Sequence, residues 1–189
     1  MIEQPYDGRA KIESDSVTLR IIIPSKKNWF LIIFLFFWMG GWFMGETNAI
    51  SSLMKSGAFV FDAFMVFWLA GWTFGGLFAI VIIVWSLLGR ETVTIDSNVW
   101  QLEKGILDFS FSKKQYETAS IKKLELSPEK DEDSIFQQKK IGDFWGITGG
   151  RVYFDYGMKT IKFAIGVDNA EARYIIEEIK KRNYYKDKE

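Results

Sequence analysis

Two uncharged, strongly apolar stretches constrain this chain more than any other feature. No residue carries a charge between positions 28 and 45, and none does between positions 63 and 89. An α-helix needs about 20 apolar residues to cross the roughly 30 Å hydrocarbon core of a bilayer. The first stretch just spans that core and the second exceeds it, so the second helix should tilt or project beyond the bilayer. The sequence therefore predicts a transmembrane hairpin over 28–89, with helices at about 29–45 and 63–88.

The charges beside these stretches predict their orientation. Lys26 and Lys27 precede the first stretch and Arg90 follows the second, whereas the connecting segment carries only Lys55 against Glu46. Cationic residues beside membrane spans concentrate on the cytoplasmic side. We therefore expect a membrane protein with both chain ends in the cytoplasm and a short external connection.

Composition excludes several classes of function. The 189 residues contain 24 Lys and Arg against 24 Asp and Glu, with no cysteine and no histidine. An even charge balance argues against nucleic-acid binding, which needs a clustered cationic surplus. Disulfides, thiolate or imidazole metal sites and histidine-based acid–base chemistry are also excluded. Since no other spacing indicates catalysis, we expect a protein that is not an enzyme, with no catalytic residue, bound metal or cofactor.

Both flanks of the hairpin show the period-two alternation of half-buried strands. In the segment after it, Val152, Phe154 and Tyr156 alternate with more polar residues, and Tyr156-Gly157 is a turn candidate. The same pattern predicts strands at 17–23, 91–96, 99–104, 106–111, 121–126, 151–156 and 159–165, with Ser97-Asn98 and Gly105 as turns. Residues 1–27 should therefore join residues 90–189 in one cytoplasmic β domain.

The C-terminal segment changes to a helical period. Ala172, Ile175, Ile176 and Ile179 recur at the spacing of one helix face. Asp168 stands at the expected N-cap, with Glu171 three residues later as in a capping box. These signals predict a helix over 168–183, supported by an i,i+4 pair of Glu177 with Lys181.

The order of IPSKKNWF, an apolar hairpin, RETVTID and GGRVYFDYGMKTIKFAIGVDNAEARYIIEEIKKR resembles small bacterial membrane proteins that have two helices and a bacterial PH-like domain. It is more distantly similar in layout to the two-helix photosystem I assembly factor family. The resemblance implies a binding or assembly role and transfers no functional residue. The expected fold class is an α+β membrane protein: a two-helix transmembrane hairpin plus a PH-like antiparallel β barrel or sandwich with one C-terminal helix.

A repeated motif lies inside the two apolar stretches. Residues 37–45 read FWMGGWFMG and residues 67–75 read FWLAGWTFG. Each copy has a small-xxx-small pair that lets another backbone approach, and each has two tryptophans on one helix face. Three interpretations stay open: packing within the hairpin, docking of another membrane protein, and a slot for a lipid, quinone or pigment. The candidate residues are Gly41, Gly45, Gly71, Gly75, Trp38, Trp42, Trp68 and Trp72.

Two further candidates lie outside this repeat. Asp62 precedes the second stretch and is either an interfacial residue, an ion or proton site, or a polar contact with a partner. In the long segment after Pro128, Lys139 and Lys140 precede Phe144 and Trp145. That group either contacts the inner leaflet of the membrane or belongs to an ordered loop at the edge of the β domain.

The sequence predicts a non-enzymatic inner-membrane accessory, assembly or scaffold protein that presents a PH-like domain and binds a partner protein. Its expected partners are membrane lipid and either another membrane protein or further copies of itself, with no nucleic acid. One alternative is an oligomeric small transport or channel component. Another is a membrane sensor that binds lipid head groups.

Overall fold

The computed structural model describes residues 8–55, 59–128 and 149–182, and for residues 59–62 it describes the backbone alone. Within them the chain is an α+β protein with three α-helices and two antiparallel sheets. It divides into two compact units: residues 27–87, and a second unit built from the described parts of the two flanks, 1–26 and 88–189.

The second unit holds both sheets. The first has the strand order β1 (Lys11–Ser14), β2 (Leu19–Pro24), β3 (Gly89–Ile95), β4 (Val99–Ile106) and β5 (Phe109–Glu117). The other has the order β6 (Ile121–Leu126), β7 (Val152–Tyr156) and β8 (Lys159–Phe163). Helices α1 (Trp29–Lys55) and α2 (Phe59–Leu88) stand between β2 and β3 in the chain, and α3 (Asn169–Lys181) follows β8.

The strand before the hairpin pairs directly with the strand after it. Leu19 lies opposite Ile95 and Pro24 lies opposite Arg90, and all pairs between them are in register. The Ser25 amide extends the ladder by donating a hydrogen bond to the Gly89 carbonyl at 2.9 Å. A two-stranded β1–β2 hairpin alone would be marginal in water. Pairing with β3 makes it the edge of a five-stranded sheet.

Of the predicted barrel or sandwich, the barrel is wrong: the two described sheets do not close into one. The chain passes from β5 to β6 through a 3-10 turn, Thr118–Ser120, and β6 pairs with β7 and not with β5. Register shifts at Lys104/Gly105 in β4 and between Lys122 and Glu125 in β6 interrupt both ladders. Such irregularities bend strands and increase their local twist. The antiparallel pairing and the C-terminal helix are as the sequence predicts.

Side chains from both sheets and from α3 share one hydrophobic core. Trp100 of β4 lies edge-on to Phe154 of β7 and to Phe163 of β8, with ring centroids 5.3 and 6.4 Å apart. All three aromatic side chains are fully buried. Leu19, Ile21 and Ile23 of β2 belong to the same cluster. The segment before the hairpin is therefore part of the core built by the segment after it.

The C-terminal helix begins and packs as its sequence pattern predicts. The Asp168 carboxylate caps it by accepting from the Glu171 amide, and Ala172, Ile175 and Ile179 are buried. Glu171 does not close a capping box, because its Oε1 accepts a hydrogen bond from the Ala10 amide at 2.6 Å. This contact ties the N-terminal segment to α3. Lys181 pairs with Glu178 and not with the predicted Glu177.

A tight turn interrupts the segment that was predicted to be a single strand at 106–111. Ile106 ends β4 and pairs with Phe109 at the start of β5, so Leu107 and Asp108 form the turn between them. Leu107 has a φ of 52° there, whereas Gly105, the predicted turn residue, lies inside β4. Leucine is disfavoured in left-handed backbone, and therefore sequence pattern gives no signal for this turn.

Both hairpin helices are longer than the apolar stretches that predicted them. α1 continues past Gly45 to Lys55, and α2 begins at Phe59. The hydroxyl groups of Thr47 and Ser51 donate hydrogen bonds back to carbonyls of the preceding turn. Residues 46–55 contain no glycine or proline, the residues least favourable within a helix, so helical hydrogen bonding continues after the side chains become polar.

Candidate functional site

The outer surface of the hairpin is apolar. Trp29–Lys55 and Ala63–Leu88 are each long and apolar enough to cross a membrane, and only 11% and 22% of their most apolar windows are buried within the structure. Phe30, Phe37 and Phe67 are each 81% exposed. Soluble monomers rarely expose large contiguous apolar patches. This surface is therefore suited to contact with lipid or with another apolar protein surface.

A tryptophan on each helix fills a notch on the other. The Trp42 indole lies over Gly76, where a Cβ atom would stand 2.1 Å from Trp42 Cε2. Trp42 Nε1 also donates a hydrogen bond to the Trp72 carbonyl at 3.0 Å. In the opposite direction, the Trp72 ring packs on Gly45, with 3.6 Å from its Cζ2 atom to the corresponding Cβ position. Gly45 and Gly76 thus accept the two rings that join α1 to α2.

The predicted glycine stripes do not face each other. A Cβ atom added to Gly41, Gly71 or Gly75 would meet nothing within 4 Å. The indoles of Trp42 and Trp72 occupy the space between the helices, so close backbone contact does not form there. Of the glycines in the repeat, the structure brings only Gly45 into the helix contact, and it adds Gly76, which the repeat did not include.

A polar contact that sequence analysis missed also links the two helices. Thr73 Oγ1 lies 2.6 Å from Glu46 Oε1, to which it can donate a hydrogen bond, with the Leu69 carbonyl at 2.8 Å as the alternative acceptor. Among the described residues, Glu46 Oε2 and Trp72 Nε1 are buried without a hydrogen-bond partner. The only sequence signal for this role of Glu46 is its position directly after the uncharged stretch, in a segment where α1 continues.

The aromatic residues of the repeat form a shallow cleft on the hairpin. Trp72 stacks on Trp68 with ring centroids 5.1 Å apart and lies 6.2 Å from Trp38. The cleft encloses about 430 Å³, within the ~300–1,000 Å³ typical of small-ligand sites. It is closer to an open surface than to an enclosed cavity. Its lining residues are Trp38, Phe64, Phe67, Trp68, Gly71, Trp72 and Gly75.

Several predicted site residues lie outside the described part of the chain. Lys139, Lys140, Phe144 and Trp145 all fall in the undescribed range 129–148. Asp62 is placed in α2, but its side chain is not described. The predictions made for these residues therefore remain predictions.

A buried carboxylate in the β domain also escaped sequence analysis. Glu91 of β3 is only 2% exposed, and its Oε2 accepts a hydrogen bond from the Ile165 amide at 3.0 Å. Desolvation by burial raises its pKa above the ordinary 4.5, although the amides of Ile165 and Ala164 and the charge of Lys104 act in the opposite direction. In the sequence, Glu91 occupies an inward position of an alternating strand, which is the only sign of its burial.

The loop that covers Glu91 has an unusual backbone. Ala164 and Gly166 have φ angles of 63° and 71°. The Arg9 guanidinium donates hydrogen bonds to the carbonyls of Gly166 and Pro24, the latter at 3.4 Å. These contacts fasten the loop to the strand that leads into α1. The cluster is a structural junction of three chain segments.

Acidic side chains do not gather into a metal site in the described residues, where no group of three potential ligands occurs. Comparison of the chain with protein-family models, with curated proteins and with solved structures finds no match. The described part of the hairpin presents aromatic faces, open glycine backbone and a half-satisfied carboxylate.

Neighbouring glycines of α2 offer a matched test of the helix contact. Gly76→Ala should destabilise the hairpin by about 1–3 kcal/mol, because its methyl group would overlap the Trp42 ring. Gly75→Ala should be neutral or slightly stabilising, because that position is open and alanine favours helix. Near-UV circular dichroism during denaturation in detergent would follow the transition, since six of the eight tryptophans lie in the hairpin. Equal effects of the two substitutions on stability would contradict the packing of the Trp42 ring against Gly76.

Burial of Glu91 predicts a specific pH dependence. Because its pKa is higher in the folded protein, its contribution to stability is complete below about pH 4.5 and is lost as pH rises through the folded pKa. Glu91→Gln should therefore be more stable than the wild type at neutral pH, with the difference closing on acidification. Urea denaturation from pH 4.5 to 8 would measure this, and no histidine titrates in that window. Glu13→Gln, at an exposed residue, is the control, and profiles parallel to the wild type for Glu91→Gln would contradict the assignment.

Proposed function

We propose that the protein is a non-enzymatic accessory or scaffold subunit of the bacterial inner membrane. In this proposal the α1–α2 hairpin crosses the bilayer, both termini are cytoplasmic, and the β domain acts as a PH-like recognition module at the inner face. The hairpin binds a helix of another membrane protein. The observation that carries the proposal is the set of open glycines beside exposed aromatic side chains on α2.

Helix lengths and exposure support insertion into the bilayer. At 1.5 Å per residue, α1 and α2 are about 40 and 45 Å long, compared with a hydrocarbon core of about 30 Å. The contact of Glu46 with Thr73 places those two residues at one level. Thr73 is about 23 Å along α2 from Leu88. With Leu88 at the inner boundary, the contact falls within the outer part of the hydrocarbon core and the excess length projects outward.

The open face of α2 supports a helical partner. Gly71 and Gly75 lie one turn apart with nothing within 4 Å of their Cβ positions. Small residues at this spacing allow close helix packing in membranes. Phe67 precedes them by one further turn and is exposed, so it would lie beside an approaching helix. A partner could also supply hydrogen bonds to the half-satisfied carboxylate of Glu46.

The hairpin's polar groups favour an anchor over a transport component. A pore built by oligomerisation needs polar side chains along an outward face of the helices. Thr73 instead contacts Glu46 across the hairpin, and Ser86 is only 5% exposed. The even charge balance of the chain likewise offers no general attraction to anionic head groups. A protein partner therefore explains the open face best.

The β domain supports the recognition role through its layout. Antiparallel strands followed by a single C-terminal helix are shared with the bacterial PH-like membrane proteins that the sequence order resembles. In this chain the sheets remain open, so the proposed likeness concerns element order and the placement of α3. The cytoplasmic surface would bind a soluble segment of the same partner.

Site-specific photocrosslinking in native cells tests the partner directly. A photoreactive residue at Phe67, on the glycine side of α2, should crosslink to one different membrane protein, and the same residue at exposed Val66 should not. Gly71→Leu with Gly75→Leu should abolish the crosslink without destabilising the hairpin, because both positions are open. Crosslinking only to further copies of the chain would favour the oligomeric alternative. Crosslinking to lipid alone would contradict a protein partner.

A further inference from the structure

An apolar hairpin turn lies at the end of the first sheet where the chain leaves for α1 and returns from α2. Ile106 is opposite Gly89, the first residue after α2. The Leu107 amide donates a hydrogen bond to the carbonyl of Leu88, the last residue of α2, at 3.4 Å. Adjacent strands are about 4.8 Å apart. The β4–β5 turn therefore stands one strand away from the end of α2.

The side chains at this turn are apolar and exposed. Leu107 is 59% exposed and Phe109 is 73% exposed. Leu107 also adopts the left-handed backbone, which costs about 1–2 kcal/mol for a residue with a Cβ atom. Glycine or asparagine would relieve this strain at no cost in core packing. Neither burial in the domain nor backbone preference accounts for leucine at this position.

The charges around the turn are arranged as at a lipid interface. Asp108 is fully exposed, but its Oδ1 lies 3.2 Å from Nη2 of Arg90, which offsets its repulsion from anionic lipid. Along β5 the residues next to the turn are Phe109, Ser110 and Phe111, and the first cationic residue is Lys113. Lys113 is about 13 Å farther along the strand from Phe109. Aromatic side chains at a boundary with cations behind them are favoured at anionic membrane surfaces.

We propose that the β4–β5 turn inserts into the bilayer surface, with Leu107 and Phe109 entering the boundary between head groups and acyl chains. This inference rests on the membrane insertion proposed above and adds a third point of attachment to α1 and α2. Continuity of the backbone argues for lipid as the occupant, because Leu88 and the turn are hydrogen-bonded neighbours. The attachment fixes the orientation of the first sheet against the membrane.

Single spin labels provide a clean test, because the chain contains no cysteine. Labels at L107C and F109C would be compared with M158C in the full chain, reconstituted in vesicles of phosphatidylcholine and phosphatidylglycerol. Met158 is a matched control: it is a fully exposed apolar residue in the β7–β8 turn, at the other end of β8 from the loop that covers Glu91. A label at L77C, on an exposed position of α2, reports the hydrocarbon core.

Collision with oxygen, which concentrates in lipid, and with a water-soluble nickel chelate would be measured for each label. The expected order of the oxygen-to-nickel ratio is L77C highest, L107C and F109C intermediate, and M158C lowest. Equality of L107C and F109C with M158C, while L77C keeps its high ratio, would overturn the inference and leave hairpin insertion intact. A low ratio at L77C would overturn both. Immobile labels at 107 and 109 shielded from both reagents would indicate a protein contact and overturn the lipid assignment.

Discussion

The pairing of β2 with β3 is the interaction on which the rest of the structure depends. These strands are adjacent in the sheet although the whole helical hairpin separates them in the chain. Because Pro24 lies opposite Arg90, the chain leaves the sheet for α1 next to the point where it returns from α2. Pairing β2 with β3 closes a long loop, and loop closure costs conformational entropy. Helices α1 and α2 already contact each other, so the chain between the two strands has less conformational freedom to lose. The notches at Gly45 and Gly76 supply such contacts.

Much of the secondary structure follows from local pattern. The alternation in β7 and the N-cap of α3 have direct sequence signals, and the structure places the corresponding elements within a few residues of the predicted positions. The apolar stretches indicate both long helices, although α1 runs ten residues past Gly45 to Lys55 because helical hydrogen bonding continues through polar residues. Open sheets could not be distinguished from a barrel, since closure would require β5 to pair with β6, and local pattern does not show that they do not.

The candidate site was less predictable, because the contacts between α1 and α2 depend on how each helix is rotated about its axis and how far it is shifted along the other. The glycines and the tryptophans of the repeat are visible in the sequence. A stripe of glycines, however, is equally compatible with close contact between two helix backbones and with packing of an indole ring against a glycine. Gly76 lies directly after the repeat and receives Trp42, whereas Gly75 within it stays open. The contact of Glu46 with Thr73 could not be predicted, because it depends on α1 continuing past Gly45. For buried Glu91, the inward position in an alternating strand is the only local signal.

We propose that two chain segments, connected by a hairpin through the bilayer, complete one sheet on one side of the membrane. Labelling of single cysteines with a membrane-impermeant maleimide, in sealed vesicles of known orientation, tests it most directly. Val17→Cys before the hairpin and Met158→Cys after it are exposed in the β domain, and Ser52→Cys lies in the last turns of α1. We expect positions 17 and 158 to react from the same side and position 52 to react from the opposite side. Reaction of 17 and 158 from opposite sides, or of all three from one side, would contradict it.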